Sequence, residues 1–271
     1  MAEITATLVN ELRNKTGLGM MECKKALAAA GGDVQRAIDE LRKKGVKASV
    51  AARAASEGRV VVARAADGKA AAAVEVNCNT DFTAKSEPVL AAANQAAKML
   101  LENPSADVAA AVGAQLIEVS QKTGENVRLG KTAVLSSPNG RVGAYEYVAT
   151  GKIAVLMSFS GNVANVTDEL ITDIGGHIAF ARPLGLSRSE IPAELVAKER
   201  QIAVEAAKAT GKPQQIAEKI AEGKLNAFFA EKALLDQEFF NPGKFKGTIA
   251  ALLKGKGLTL EKYVRLEVGQ G

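Results

Sequence analysis

Tryptophan is absent from this 271-residue sequence, and aromatic residues of all kinds make up only 4% of it. A surface that reads nucleic acid by base stacking needs aromatic platforms, so direct nucleic-acid binding is not expected. Histidine occurs once, as His177, and cysteine twice, as Cys23 and Cys78. Two cysteines make no disulfide framework, and no group of histidine, cysteine or carboxylate residues has metal-ligand spacing. The sequence also lacks a Walker-type glycine-rich loop and a dinucleotide fingerprint, and no nucleophile has a histidine nearby. Together these absences predict no catalytic residue, no metal and no cofactor, and argue against an enzyme with chemistry of its own. No apolar run approaches the ~20 residues that span a bilayer, so no membrane partner is expected. The opening Met1-Ala2-Glu3 has neither a basic region nor an apolar core behind it. A signal peptide is therefore not expected, and a cytoplasmic location is.

What remains is ordinary globular composition, 47% apolar and 24% charged, at a length that suits roughly two domains. The net charge of +5 suits an acidic partner, but 30 acidic residues are mixed among 35 basic ones, so the bias is mild.

Along the chain, Thr5 is placed to cap a first helix whose Leu8, Val9 and Leu12 share a face, ending at Gly17. Gly19 precedes a second run, Met20 to Ala30, with Met20, Cys23 and Leu27 on one face. Asp33 caps a third, where Val34, Ala37, Ile38 and Leu41 repeat with helical period, and Gly45 ends it. Three short helices make a small bundle. From Leu41 to Ser56 the chain carries Arg42, Lys43, Lys44, Lys47 and Arg53 with no acid. This is a solvated linker or, on a second reading, a contact for RNA or an acidic surface.

An internal repeat follows. Arg59–Arg64 and Ala70–Val76 read as a hairpin about Asp67-Gly68. Arg141–Val148 and Ile153–Phe159 read as another about Thr150-Gly151-Lys152. A helix follows each, 88–101 and 166–181, which predicts two similar halves with helices packed on hairpins. Between them lie a helix from Ala106 to about Val119 and a strand through Ala133-Val134-Leu135. In the second half, helices at 192–208 and 214–235, broken by Gly211-Lys212-Pro213, form a helical hairpin. A short helix at 248–253 and a last strand at 263–268 complete the chain. The fold class is therefore α+β: a three-helix bundle and linker over 1–55, a first α+β subdomain over 56–139, and a second over 140–271 whose helical hairpin spans about 190–238.

The most informative stretch is Glu75-Val76-Asn77-Cys78-Asn79-Thr80-Asp81-Phe82-Thr83-Ala84-Lys85. Val74 and Val76 alternate with Glu75 and Asn77 as in a half-buried strand. Asn77, Asn79 and Asp81 then favour a turn, and Pro88 sits in the first turn of an alanine-rich helix. Phe82 thus lies on a strand-to-helix connection, where it either folds back into the core or projects from a rigid scaffold.

This stretch resembles the second signature of the bacterial elongation factor Ts family. Leu12-Arg13, Thr16-Gly17-Leu18-Gly19-Met20 and Lys24-Lys25-Ala26-Leu27 resemble the first. The resemblance implies an N-terminal module like the ubiquitin-associated fold, and a core of two α+β halves bearing a helical hairpin. It also implies a guanine-nucleotide exchange factor for elongation factor Tu, bound in its GDP and nucleotide-free states; the sequence leaves a homo-oligomer open. By the same resemblance, Thr80, Asp81, Phe82 and Thr83 displace magnesium from the partner's nucleotide site. Arg13, Met20 and Met21 match family positions that touch the partner, although core filling suits the methionines equally. Gly124, Glu125 and Asn126 match a loop that approaches the partner's phosphate-binding loop. Gly176-His177-Ile178-Ala179 is similar to another family segment; His177 is read first as a satisfied, partly buried side chain and second as a partner contact. Thr83 and Thr123 depart from the family's usual aliphatic residues, and Asn79 from a longer acid or amide. The competing reading, from another class, is an RNA- or ribosome-associated adaptor that uses the bundle and the basic linker.

Overall fold

The computed structural model describes residues 4–16, 20–43, 50 and 53–269. The fold is α+β, with N-terminal helices followed by two small antiparallel sheets and their helices. The chain divides into two compact units. One comprises Met1–Val134, Glu146–Ala154 and Leu266–Gly271, the other Leu135–Tyr145 and Val155–Arg265.

In the first unit, helices α1 (Ala6–Thr16), α2 (Met20–Ala29) and α3 (Val34–Lys43) form the expected bundle. The caps are those read from the sequence: Leu8 N donates to Thr5 Oγ1 at 3.3 Å and Arg36 N to Asp33 Oδ1 at 2.9 Å. Val9, Leu12, Cys23, Leu27, Ala37 and Leu41 fill its core. Met20, expected on the face of Cys23 and Leu27, is 55% exposed, and Met21 beside it is 67% exposed, while Cys23 and Leu27 are fully buried. Small and aliphatic residues close the bundle's core without either methionine. Gly17, Gly19, Gly45, Lys44 and Lys47 lie outside the described residues.

Strands β1 (Glu57–Arg64) and β2 (Ala70–Cys78) pair antiparallel from Glu57↔Cys78 to Arg64↔Ala71. Gly68 takes the left-handed conformation (φ 68°) that the Asp-Gly turn requires. β3 (Arg128–Ser136) adds to the β2 edge, so β2 is the central strand. Helices α4 (Asp81–Ala84), α5 (Glu87–Glu102) and α6 (Val108–Thr123) follow β2; α5 lies on β1 and β2, and α6 packs on α5. Val89, Ala92, Ala93, Ala96 and Ala97 of α5 press on Val61, Ala72, Val74 and Val76; small side chains let this helix lie close to the sheet.

β2 is not half-buried as its alternation predicts. Glu75 and Asn77 are 3% and 5% exposed. On the face opposite the helices, the polar groups are paired within this unit. The Glu75 carboxylate accepts from Asn77 Nδ2, from Lys131 N at 3.2 Å and from Gly269 N at 3.3 Å. Paired in this way, a polar face can be buried without the usual cost of lost hydration.

In the second unit, β5 (Ile153–Gly161) lies between β4 (Arg141–Glu146) and β6 (Leu258–Glu267). Leu156, Met157 and Phe159 of β5, with Ile174 and Ile178 of α7 (Asp168–Ala181), are fully buried. Helices α8 (Ala193–Ala209) and α9 (Gln214–Lys232) pair as the expected hairpin, with Ala203, Ala207, Ala217 and Ala221 buried. α10 (Ile249–Gly255) precedes β6. His177 is buried, and its ring is satisfied at both nitrogens: Phe240 N donates to Nδ1 at 3.3 Å, which leaves the proton on Nε2 to meet Gln237 Oε1 at 2.8 Å. Burial holds its pKa below the usual imidazole value, with the Gln237 bond opposing.

α7 approaches β4 closely because Gly175 has no side chain; a Cβ there would lie 2.3 Å from Tyr145 Cβ. Gly175→Val is therefore expected to overpack the contact and destabilise the unit by roughly 1–3 kcal/mol. Thermal melts followed by circular dichroism check this; a melting temperature equal to that of the unaltered chain would mean the helix can shift away without loss.

Candidate functional site

β2 runs from the core to a polar exit. Beyond Cys78, Thr80 takes an extended conformation (φ −128°, ψ 152°) and caps the single turn α4, its hydroxyl accepting from Thr83 N at 3.3 Å. Phe82 sits on the outer side of that turn and is 84% exposed, while Thr83 and Ala84 are buried. The turn thus faces inward through its third and fourth residues and outward through its second. Asp81 pairs with Lys85 across one turn at 2.7 Å. The Lys85 hydrogen bond holds the Asp81 carboxyl below its ordinary value. Beside the turn lies a groove of about 540 Å³, lined by residues including Arg59, Asp81, Phe82, Thr150 and Lys152.

The Gly124-Glu125-Asn126 loop, expected separately from Thr80–Thr83, meets it directly. Gly124 ends α6 in the left-handed conformation, its N–H bonded to Ser120 O at 2.9 Å. Glu125 then points at the α4 turn. Oε2 accepts from Asn79 N at 3.1 Å and Thr80 N at 3.0 Å, and Oε1 from the hydroxyls of Thr80 at 2.7 Å and Thr83 at 2.8 Å. Asn126 N donates to Asn79 Oδ1 at 2.7 Å. The Arg53-Ala54 backbone completes the network, accepting from Asn126 Nδ2 at 2.8 Å and Asn79 Nδ2 at 2.7 Å, while Arg53 Nη1 reaches Gly124 O at 2.9 Å.

Burial alone pushes the Glu125 carboxyl up, but the hydrogen bonds from Thr80, Thr83 and Asn79 outweigh it and hold the pKa below the usual glutamate value. Cys78, beneath the turn, is pushed up to about 11, first by burial and then by the nearby Glu125 charge. Its thiol donates to Thr80 O at 3.1 Å, so it is a neutral packing group and not a nucleophile.

Of the residues singled out from sequence, Thr80, Asp81, Phe82, Thr83, Gly124, Glu125 and Asn126 come together here. Arg13, Met20 and Met21 are exposed on the N-terminal bundle instead. The contributions of Arg53 and Ala54 to this network were missed; both act through backbone carbonyls, which side-chain chemistry does not reveal, and the Arg53 guanidinium meets a backbone carbonyl 71 positions away. Among the described residues no group of three or more histidine, cysteine or acidic residues is arranged to hold a metal, and no helix is long and apolar enough to cross a membrane.

The family model described as elongation factor TS matches residues 79–270, a range that includes Asn79, the α4 turn and the Gly124–Asn126 loop. A protein of Aromatoleum aromaticum named elongation factor Ts is 43% identical over 282 residues, spanning 100% of this chain and 93% of the relative. The chain belongs to the elongation factor Ts family. Proteins of the same name from Hahella chejuensis and Methylococcus capsulatus are 42% and 39% identical, covering 100% and 99% of this chain and 94% and 93% of theirs. Membership accords with the two signatures read from the sequence, and the second of these is the clamped turn.

The depressed Glu125 value carries a pH signature. The unfolded chain takes up the proton before the folded one does. The carboxylate's contribution to stability is therefore complete near neutral pH, begins to fall below the ordinary glutamate value of about 4.3, and is gone once pH passes the lower folded value. The melting-temperature difference between the unaltered chain and Glu125→Gln is expected to be constant around neutrality and to narrow on acidification. A difference that persists undiminished in strong acid would show that the charge contributes nothing.

Proposed function

We propose that this chain is a guanine-nucleotide exchange factor for elongation factor Tu in translation elongation, acting in the cytoplasm by binding and without a covalent step of its own. The single observation that carries the reading is Phe82: an aromatic ring 84% exposed at the apex of a turn that four hydrogen bonds to one carboxylate hold in place. Burying such a ring is worth roughly 1.5–3 kcal/mol, a gain left unused in the free chain and available on contact with a partner.

The mechanism is one of linked equilibria. If the factor weakens the partner's hold on GDP by some ratio, GDP weakens the factor's hold on the partner by the same ratio. Phe82 is the wedge. The part of its burial energy that counts is the part gained only when the nucleotide site is distorted, since equal binding to both states shifts nothing. Asp81 stands beside it, where a carboxylate can draw on the partner's magnesium ligands or accept backbone N–H groups of the displaced loop. Thr80 and Thr83 hold the turn, and the Gly124–Asn126 loop backs it. Arg13, Met20 and Met21 form a second patch on the bundle of residues 1–55; two patches on one chain gain by effective concentration. The exposure of both methionines supports that assignment over core filling.

Release of fluorescent GDP from elongation factor Tu is the test. Phe82→Ala is expected to lower the maximal exchange rate by about 10- to 100-fold, the equivalent of the ring's burial, with an unchanged melting temperature. Met20→Ser with Met21→Ser is expected instead to raise the factor concentration needed for half-maximal exchange. Normal exchange by Phe82→Ala would remove the wedge, and no acceleration by the unaltered chain would remove the function.

A further inference from the structure

We infer that Glu125 is a positioning residue for Phe82, acting on the exchange reaction through the α4 turn and not through contact with the partner. The inference rests on the reading of Phe82 as the wedge and adds to it the group that aims the wedge.

An ionised carboxylate offers about four lone-pair directions. All four are occupied from within the chain, by the N–H groups of Asn79 and Thr80 on one oxygen and the hydroxyls of Thr80 and Thr83 on the other. The carboxylate therefore has little acceptor capacity left for an incoming molecule. Its donors bracket Phe82 in sequence, two residues before it and one after. Phe82 itself is 84% exposed, so core packing contributes little to the direction of its ring. That direction follows from the backbone of the turn, which the carboxylate grips on both sides.

Glu125 also acts on the cap. The Thr80 hydroxyl donates to Oε1 and, with its rotor fixed in that direction, presents a lone pair to Thr83 N. Without the carboxylate, the hydroxyl is free to turn and the cap loosens. The grip is anchored in turn to rigid structure. Glu125 N donates to Thr123 Oγ1 at 3.2 Å, and the next residues lead into buried Val127, whose N–H bonds to the buried Ser120 hydroxyl at 3.0 Å. The end of α6 thus sets the attitude of a turn that lies more than forty positions earlier in the chain.

A double-mutant cycle tests this on the full chain, with release of fluorescent GDP from elongation factor Tu as the rate and amide hydrogen exchange as a second reading. Glu125→Gln keeps the shape and removes the charge that four donors share; it is expected to lower exchange on the order of ten-fold, the scale of hydrogen bonds to a charged group. Combined with Phe82→Ala, it should add no more than about two-fold to the loss from Phe82→Ala alone, because residues that act as one unit are not additive. Amide exchange at Asn79 and Thr80 should quicken while α5 and α6 keep their protection. If Glu125→Gln does not fold, Thr83→Val, which removes one donor and keeps the shape, should give the same pattern with a smaller loss. Losses that multiply in the double variant, or unaltered amide protection at Asn79 and Thr80, would overturn the inference. Full activity of Phe82→Ala alone would overturn the wedge reading first, and this inference with it.

Discussion

One carboxylate accepting from four donors ties the end of α6 to the turn after β2. A charged group of this kind is costly to remove from water unless each lone pair is met, and here each is. The donors are two backbone N–H groups and two hydroxyls, so the carboxylate is held by geometry and not by a counter-ion. The two hydroxyl contacts, at 2.7 and 2.8 Å, have ordinary O–H···O lengths, and an ionised acceptor strengthens such bonds. The rest of the site depends on it. The Arg53-Ala54 segment, Asn79 and Asn126 close around the same point, and the exposed phenylalanine is carried where they leave it.

The same device recurs deeper in the first unit. Glu75 is buried on the central strand and gathers an asparagine side chain, a neighbouring strand's N–H and the N–H of Gly269. Gly130 opposite it has no room for a side chain: a Cβ would come within 2.8 Å of the Glu75 side chain. Buried carboxylates that collect backbone donors join segments that hydrophobic packing alone would leave loosely registered. A sheet this small, with alanines along much of its helix interface, has little bulky side chain to fix its register by packing.

Much of the fold was legible in the sequence. Caps at Thr5 and Asp33, turns at Asp67-Gly68 and Thr150-Gly151, Pro88 at the start of α5 and the break at Gly211-Lys212-Pro213 are local signals, and local interactions decided each. What was illegible was set by tertiary contacts. Alternation made β2 half-buried, but Glu75 and Asn77 are buried too, with donors supplied by Lys131 and Gly269, and no local pattern announces partners so distant in sequence. Met20 has the spacing of a core residue, yet the bundle closes without it. The candidate site was legible by residue type and not by role. Phe82 was open between core and surface, because a phenylalanine after a strand fits both. Glu125 was marked only through the family resemblance of its loop, and sequence cannot show that donors more than forty positions away converge on its carboxylate.

The central claim is that the ring at position 82 stands in solvent on a fixed turn until a partner covers it. Because the chain contains no tryptophan, Phe82→Trp places a single indole at that point, which can be excited apart from the three tyrosines. In the free protein its emission should be that of an indole in water and readily quenched by iodide. On addition of nucleotide-free elongation factor Tu, the emission should shift to the blue and the quenching should fall. Emission already blue-shifted and protected in the free chain, or unchanged on complex formation, would contradict the account.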